Sequence, residues 1–128
     1  MSDLEHARLM LAMAEKDLKA IGAMQDVASF SDEIFGFHAQ QAVEKALKSW
    51  LSASGVKYPR VHDLEQLMEM LKERTSFPTT FVELKELTDY GVIFRYEMVE
   101  KFLDPLDRKN ITDKVQALYD EVSRQLQP

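Results

Sequence analysis

No cysteine occurs in these 128 residues, so a disulfide framework and a thiolate metal centre are both excluded. That usage fits a reducing cytoplasm, which is the expected location. No apolar run approaches the roughly 18 residues that a membrane-spanning helix needs. The first residues, Met1-Ser2-Asp3-Leu4-Glu5, lack the basic and apolar regions of a signal peptide. The four glycines are scattered at positions 22, 36, 55 and 91, so there is no glycine-rich phosphate loop. The three histidines, His6, His38 and His62, stand far apart and form no metal-binding spacing; no metal and no cofactor is expected. Excess positive charge is also missing. With 16 basic against 22 acidic residues the net charge is −6, which argues against an extended nucleic-acid surface. A small local site for a nucleotide or a phosphate, or a basic protein partner, remains compatible with it.

What is present is helical periodicity. At 128 residues, 45% hydrophobic and 30% charged, the chain has the size and composition of one domain, residues 1–128, with a core of its own. Leu4, Ala7, Leu11, Ala14, Leu18 and Ile21 fall on one stripe of a first helix. Met10 and Met13 widen that stripe, and Ser2 with Glu5 forms a capping pair at its start. Ser31, Asp32 and Glu33 open a second helix, whose apolar face runs from Phe35 through Ala39, Val43 and Leu47 to Leu51. Gly55 closes it, and Tyr58-Pro59 extends the chain beyond.

Asp63 with Gln66 caps a short third helix over about 63–73. Thr80 with Glu83 caps a fourth, carrying Phe81, Leu84, Leu87, Val92, Phe94 and Val99. Asn110 caps a fifth, with Ile111, Val115, Leu118, Val122 and Leu126 on one side. No segment alternates as a strand would. The expected fold is all-α: an up-and-down four-helix bundle with an additional short helix, five helices in all.

Three groups of polar residues could carry chemistry. His38, Gln41, Lys45 and Lys48 follow i, i+3, i+7 and i+10 along the second helix, so they share one face. Such a row could hold a phosphate and a base, or could be a solvated face with a polar dimer contact. Arg60 and His62 precede the third helix, where free backbone amides and the helix dipole would complete an anion site. Alternatively His62 and Asp63 only shape the turn and cap the helix. Arg95 offers a planar fork for phosphate, or pairs with Asp89 or Glu97. Just before it, Gly91 lowers helix stability by about 1 kcal/mol relative to alanine, which suggests close approach of a helix or a ligand.

The segment Phe37-His38-Ala39-Gln40-Gln41-Ala42-Val43-Glu44-Lys45-Ala46-Leu47-Lys48, followed by His62-Asp63-Leu64 after a short proline-bearing link, resembles the HEPN family of small helical nucleotide-binding domains. Arg95-Tyr96 adds to the likeness. It covers residues 5–125 and is strongest from Phe37 to Leu71. The resemblance implies a bundle of four or five helices, a homodimer, nucleotide binding, and a minimal nucleotidyltransferase as protein partner, some such pairs being toxin–antitoxin systems.

A subset of the family are metal-independent ribonucleases, carrying an arginine followed after four to six residues by a histidine. Here Glu100, Lys101 and Phe102 stand at those positions, and no histidine lies beyond His62. Any ribonuclease would have to recruit His38 or His62 from other helices or from a second subunit, with His62 and Arg95 as the catalytic candidates, and the chain reads as leaning away from an enzyme. Three functions follow: a nucleotide-binding or accessory module beside a nucleotidyltransferase, with His38, Gln41, Lys45, Arg60, His62 and Arg95 as its site; a ribonuclease toxin with a rearranged site; or a structural dimerisation domain.

Overall fold

The structure, a computed structural model, describes residues 2–91 and 104–127, and within them it is all-α. Helix α1 spans Asp3–Ala23, α2 Asp32–Ala53 and α3 Leu64–Lys72. A 3-10 helix follows over Thr79–Leu87, and α4 spans Arg108–Gln125. No described helix is long and apolar enough to cross a membrane.

Local chemistry sets the ends of these elements. The Ser2 hydroxyl accepts from the Glu5 amide to start α1, and Ser31 accepts from the Ile34 amide to start α2. Helix α2 ends in a double closure: the Gly55 amide donates to the Ser52 carbonyl and the Val56 amide to the Leu51 carbonyl. That closure needs a left-handed residue, and Gly55 supplies it at φ 75°. Asp63 caps α3 by accepting from the Glu65 amide.

Two expected caps differ. Thr80 does not cap the fourth element. Pro78 stands at that position with no side-chain bond, and the segment tightens into a 3-10 helix. Its aromatic side chains explain why it stays in place: Phe77 packs on Trp50 with ring centres 5.6 Å apart, and Phe81 on Phe77 at 5.9 Å. Asn110 does not cap the last helix. Asp107, three residues earlier, accepts the Asn110 amide, so the helix starts a turn sooner. Val92, Phe94 and Val99, assigned to the fourth helix from the sequence, lie outside the described residues.

Helix α2 is the centre of the molecule, packing against α1, α3, the 3-10 helix and α4. Bonds from Ser52 to the Asp3 carbonyl and from Ser49 to the Ala7 carbonyl show α1 and α2 running antiparallel. Tyr119 with Glu15 and Gln25 with Thr112 show the same for α1 and α4. The core gathers Ala7, Leu11, Ala14, Leu18 and Ile21 from α1 with Phe35, Val43, Leu47, Trp50 and Leu51 from α2. Each large apolar side chain so buried contributes roughly 1.5–3 kcal/mol. The stripe on α1 is shorter than its periodicity suggests: Leu4 is 40% exposed and Met13 37%, so neither belongs to the core.

Arg108, at the start of α4, ties the bundle to the loop between α1 and α2. One guanidinium nitrogen donates to the carbonyls of Met24 and Asp26, and the other to the Phe30 carbonyl and the Asp32 carboxylate. Its plane also lies over the Phe35 ring at 5.2 Å.

Candidate functional site

Glu44 lies in the middle of α2, 6% exposed, between three donors. The Gln40 amide reaches its Oε1 at 2.9 Å and the Lys48 ammonium its Oε2 at 2.9 Å. His62, arriving from the α2–α3 link, donates Nδ1–H to Oε1 at 3.0 Å. Burial alone would raise the Glu44 pKa. The hydrogen bonds from Gln40, Lys48 and His62 outweigh it and hold the carboxyl below its ordinary value, so it is a carboxylate at neutral pH.

The spacing explains the arrangement. Gln40, Glu44 and Lys48 are one turn apart on the inward side of α2, and Gln40 and Glu44 sit seven residues before Leu47 and Leu51, on the core stripe. A buried carboxylate needs such partners, since an unpaired charge there would cost several kcal/mol.

The Gln40 side chain is itself fixed on all sides. Its carbonyl accepts from Gln41 at 2.7 Å, and its amide also reaches the His62 carbonyl at 3.3 Å. Gly91 presses against it: a Cβ there would lie 2.8 Å from the Gln40 amide carbon. The close approach suggested by Gly91 is therefore to a buried glutamine of α2.

Beyond Lys48 the network continues to the link. The Lys48 ammonium lies 5.5 Å from the centre of the Tyr58 ring, and the Tyr58 hydroxyl shares a 2.6 Å hydrogen bond with His6 Nε2. Burial, and then the Glu44 charge, push the Tyr58 pKa up, so the hydroxyl keeps its proton at neutral pH. The link is held at both ends, yet His62 remains open. Its side chain is 67% exposed, and its Nε2 is the ring nitrogen not engaged by Glu44. Arg60, two residues earlier, is also exposed.

The other expected site residues fall differently. Asp17 of α1 takes both His38, through Nδ1 at 3.0 Å, and Lys45, at 2.7 Å. Gln41 bonds to Gln40, and Lys48 turns inward to Glu44. The row on α2 is thus split between two buried or half-buried carboxylates, and Lys48, expected on the solvated face, is 8% exposed. At the start of α3 the Leu64 amide is taken by Thr88 and the Glu65 amide by Asp63. Those two amides are therefore not free for an anion, and the open groups near them are Arg60 and His62. Arg95 lies outside the described residues. Among the described residues, no group of His, Asp and Glu is arranged to hold a metal ion.

Sequence reasoning missed Asp17, Gln40, Glu44 and Tyr58. Three of them carried a signal: polar residues at Gln40 and Glu44 interrupt a core stripe, and Asp17 stands three residues after Ala14 and four before Ile21. What results is an all-α bundle whose central helix buries a carboxylate that orients an exposed imidazole. The chain belongs to the HEPN domain family, whose model matches residues 7–125. No curated protein and no solved structure matches it.

Proposed function

We propose that this protein is a nucleotide-binding accessory module that works with a minimal nucleotidyltransferase, in a pair of the toxin–antitoxin type. The supporting observation is the α2–α3 link: exposed His62 is aimed by buried Glu44, with exposed Arg60 two residues away. A guanidinium fork donates to phosphate oxygens, and with Nδ1–H held by Glu44 the imidazole Nε2 donates to them in the imidazolium form of the ring. From Ser54 to His62 the link contains Lys57, Arg60 and His62 and no carboxylate, in a chain whose net charge is −6. These three groups supply local positive charge for an anionic ligand, while the neighbouring Asp63 carboxylate is engaged in capping α3. Membership of the HEPN family supports a nucleotide-related role.

Calorimetric titration with ATP tests the reading. Binding that saturates at millimolar ligand or below, and that weakens at least about ten-fold in His62→Ala, supports it. No heat of binding would count against it. The partner is tested by co-purification from the source cell: recovery of a nucleotidyltransferase is the expected outcome. The reading includes a homodimer, for which Leu9 and Met13, 49% and 37% exposed on α1, offer apolar surface. A monomeric mass in solution would remove that element.

One observation favours a second reading, a metal-independent ribonuclease. A carboxylate that fixes Nδ1–H leaves Nε2 free as a general base toward a 2′-hydroxyl. RNA cleavage in EDTA, lost in His62→Ala, would establish it, and intact RNA at high protein concentration would dismiss it. The acidic surface weighs against it.

A further inference from the structure

A groove lies where three separate segments meet. Ser2, which caps α1, Asp3 and His6 of α1, Ser52 at the end of α2, and Val56, Lys57 and Tyr58 of the link line it, so the lining holds one acidic residue, Asp3, and one basic residue, Lys57. Its walls are fixed before any ligand arrives. Ser52 donates to the Asp3 carbonyl at 2.9 Å, fastening the start of α1 to the end of α2. The His6 and Tyr58 rings lie 6.1 Å apart at 26° and are joined by their 2.6 Å hydrogen bond. Val56 is held by the closure of α2 through its bond to Leu51.

The chemistry of the lining is mixed in an informative way. Val56 and Tyr58 give an apolar wall of the kind a flat heterocycle packs on. The hydroxyl protons of Ser2 and Ser52 are taken by the Glu5 carboxylate and the Asp3 carbonyl, and His6 Nε2 by Tyr58, which leaves the serine oxygens as acceptors and His6 Nδ1 for the polar edges of the heterocycle. Lys57, exposed, adds positive charge on the side of the link that leads to Arg60 and His62. A bare phosphate chain would use only the charges and leave the apolar wall unused.

The two places are joined by the same contacts. Tyr58 touches Lys48, Lys48 holds Glu44, and Glu44 holds His62. Tyr58 and His62 are also only four residues apart on a short, pinned link. A ligand with a phosphate chain at one end and a ring system at the other could therefore contact both.

We infer that the groove of His6, Val56 and Tyr58 receives the nucleoside end of a nucleotide whose phosphates are held by Arg60 and His62. This rests on the nucleotide-binding reading above and adds to it where the ring sits and why a nucleotide is preferred to a bare polyphosphate.

Amide NMR titrations of the whole chain with ATP and, separately, with inorganic tripolyphosphate test it. ATP moves the amides of His6, Val56, Lys57 and Tyr58 together with those of Arg60 and His62. Tripolyphosphate moves Arg60 and His62 and leaves His6 and Val56 in place. In Val56→Ala, ATP affinity falls about three- to five-fold while tripolyphosphate affinity is kept, which also reports that the phosphate donors and fold survive. If both ligands move Arg60 and His62 alike and neither moves His6 or Val56, the groove is not the nucleoside site and the inference is overturned, with phosphate binding intact. If neither ligand moves Arg60 or His62, the nucleotide-binding reading itself fails. The wild-type comparison decides between these outcomes even if the variant does not fold.

Discussion

Lys48 and Arg108 are both buried cations paired with a carboxylate, yet their surroundings point to different roles. Arg108 directs its terminal nitrogens to three backbone carbonyls and to Asp32, all in or beside the loop joining α1 to α2. That arrangement closes on itself, and its effect is to hold a loop to α4. Lys48 has one carboxylate partner, Glu44, which also receives Gln40 and His62. This second arrangement leads outward, ending on an imidazole that is 67% exposed. A buried ion pair that ends on main chain acts as a staple. One that ends on an exposed histidine orients a group toward whatever arrives from solvent.

Glu44→Ala breaks the comparison most severely. It leaves the Lys48 ammonium buried without its partner, and a loss of about 3–5 kcal/mol of stability is expected in urea unfolding. Acid should act in the same direction. Because the folded Glu44 carboxyl has a lowered pKa, the stability it contributes is present above the ordinary carboxylate range and is lost as pH falls through the lowered folded value. Thermal melts stepped down from neutral pH into the acid range will show that decline.

Arg108→Met should cost about 2–3 kcal/mol through the orphaned loop carbonyls, again read by urea unfolding. Unlike the Glu44 variant, the Arg108 variant should leave ATP affinity unchanged under conditions where it stays folded. A loss of binding in both would erase the distinction between staple and orienting pair.

Gly91→Ala sharpens the same contrast from the other side of α2. Its Cβ must push on the Gln40 amide that bonds Glu44 and the His62 carbonyl. About 1–2 kcal/mol of destabilisation is expected, with the NMR signals of Glu44 and His62 displaced. Smallest of all is Asp17→Asn, which loosens His38 and Lys45 at a cost of about 1 kcal/mol or less and leaves ATP binding at the link as it was.

The fold was legible because its signals are local. The spacing Ala7, Leu11, Ala14, Leu18, Ile21 marks a buried stripe, Ser2, Ser31 and Asp63 mark three helix starts, and Gly55 marks one helix end. The start of α4 was placed late because Asp107 and Asn110 are both good caps, and only the tertiary bond from Arg108 to the α1–α2 loop selects the earlier one. The 3-10 helix was read as α because Phe81, Leu84 and Leu87 satisfy either period over so short a run.

The site was half legible. His62 and Arg60 stood out as polar residues before a helix. Their support did not, since Glu44 reaches His62 across 18 residues and Asp17 reaches Lys45 across 28. Helical periodicity alone put Lys48 on the row of His38 and Lys45. Whether its flexible stem turns out or in depends on the carboxylate one turn away, which periodicity does not weigh.

The most direct test is the tautomer of His62, read by two-bond 1H–15N correlation at a pH where the ring is neutral. With Glu44 accepting from Nδ1, the proton should reside on Nδ1 and leave Nε2 unprotonated toward solvent, the reverse of the preference of a free histidine side chain. A His62 ring with its proton on Nε2, or averaging freely between the two, would contradict the orienting role assigned to Glu44.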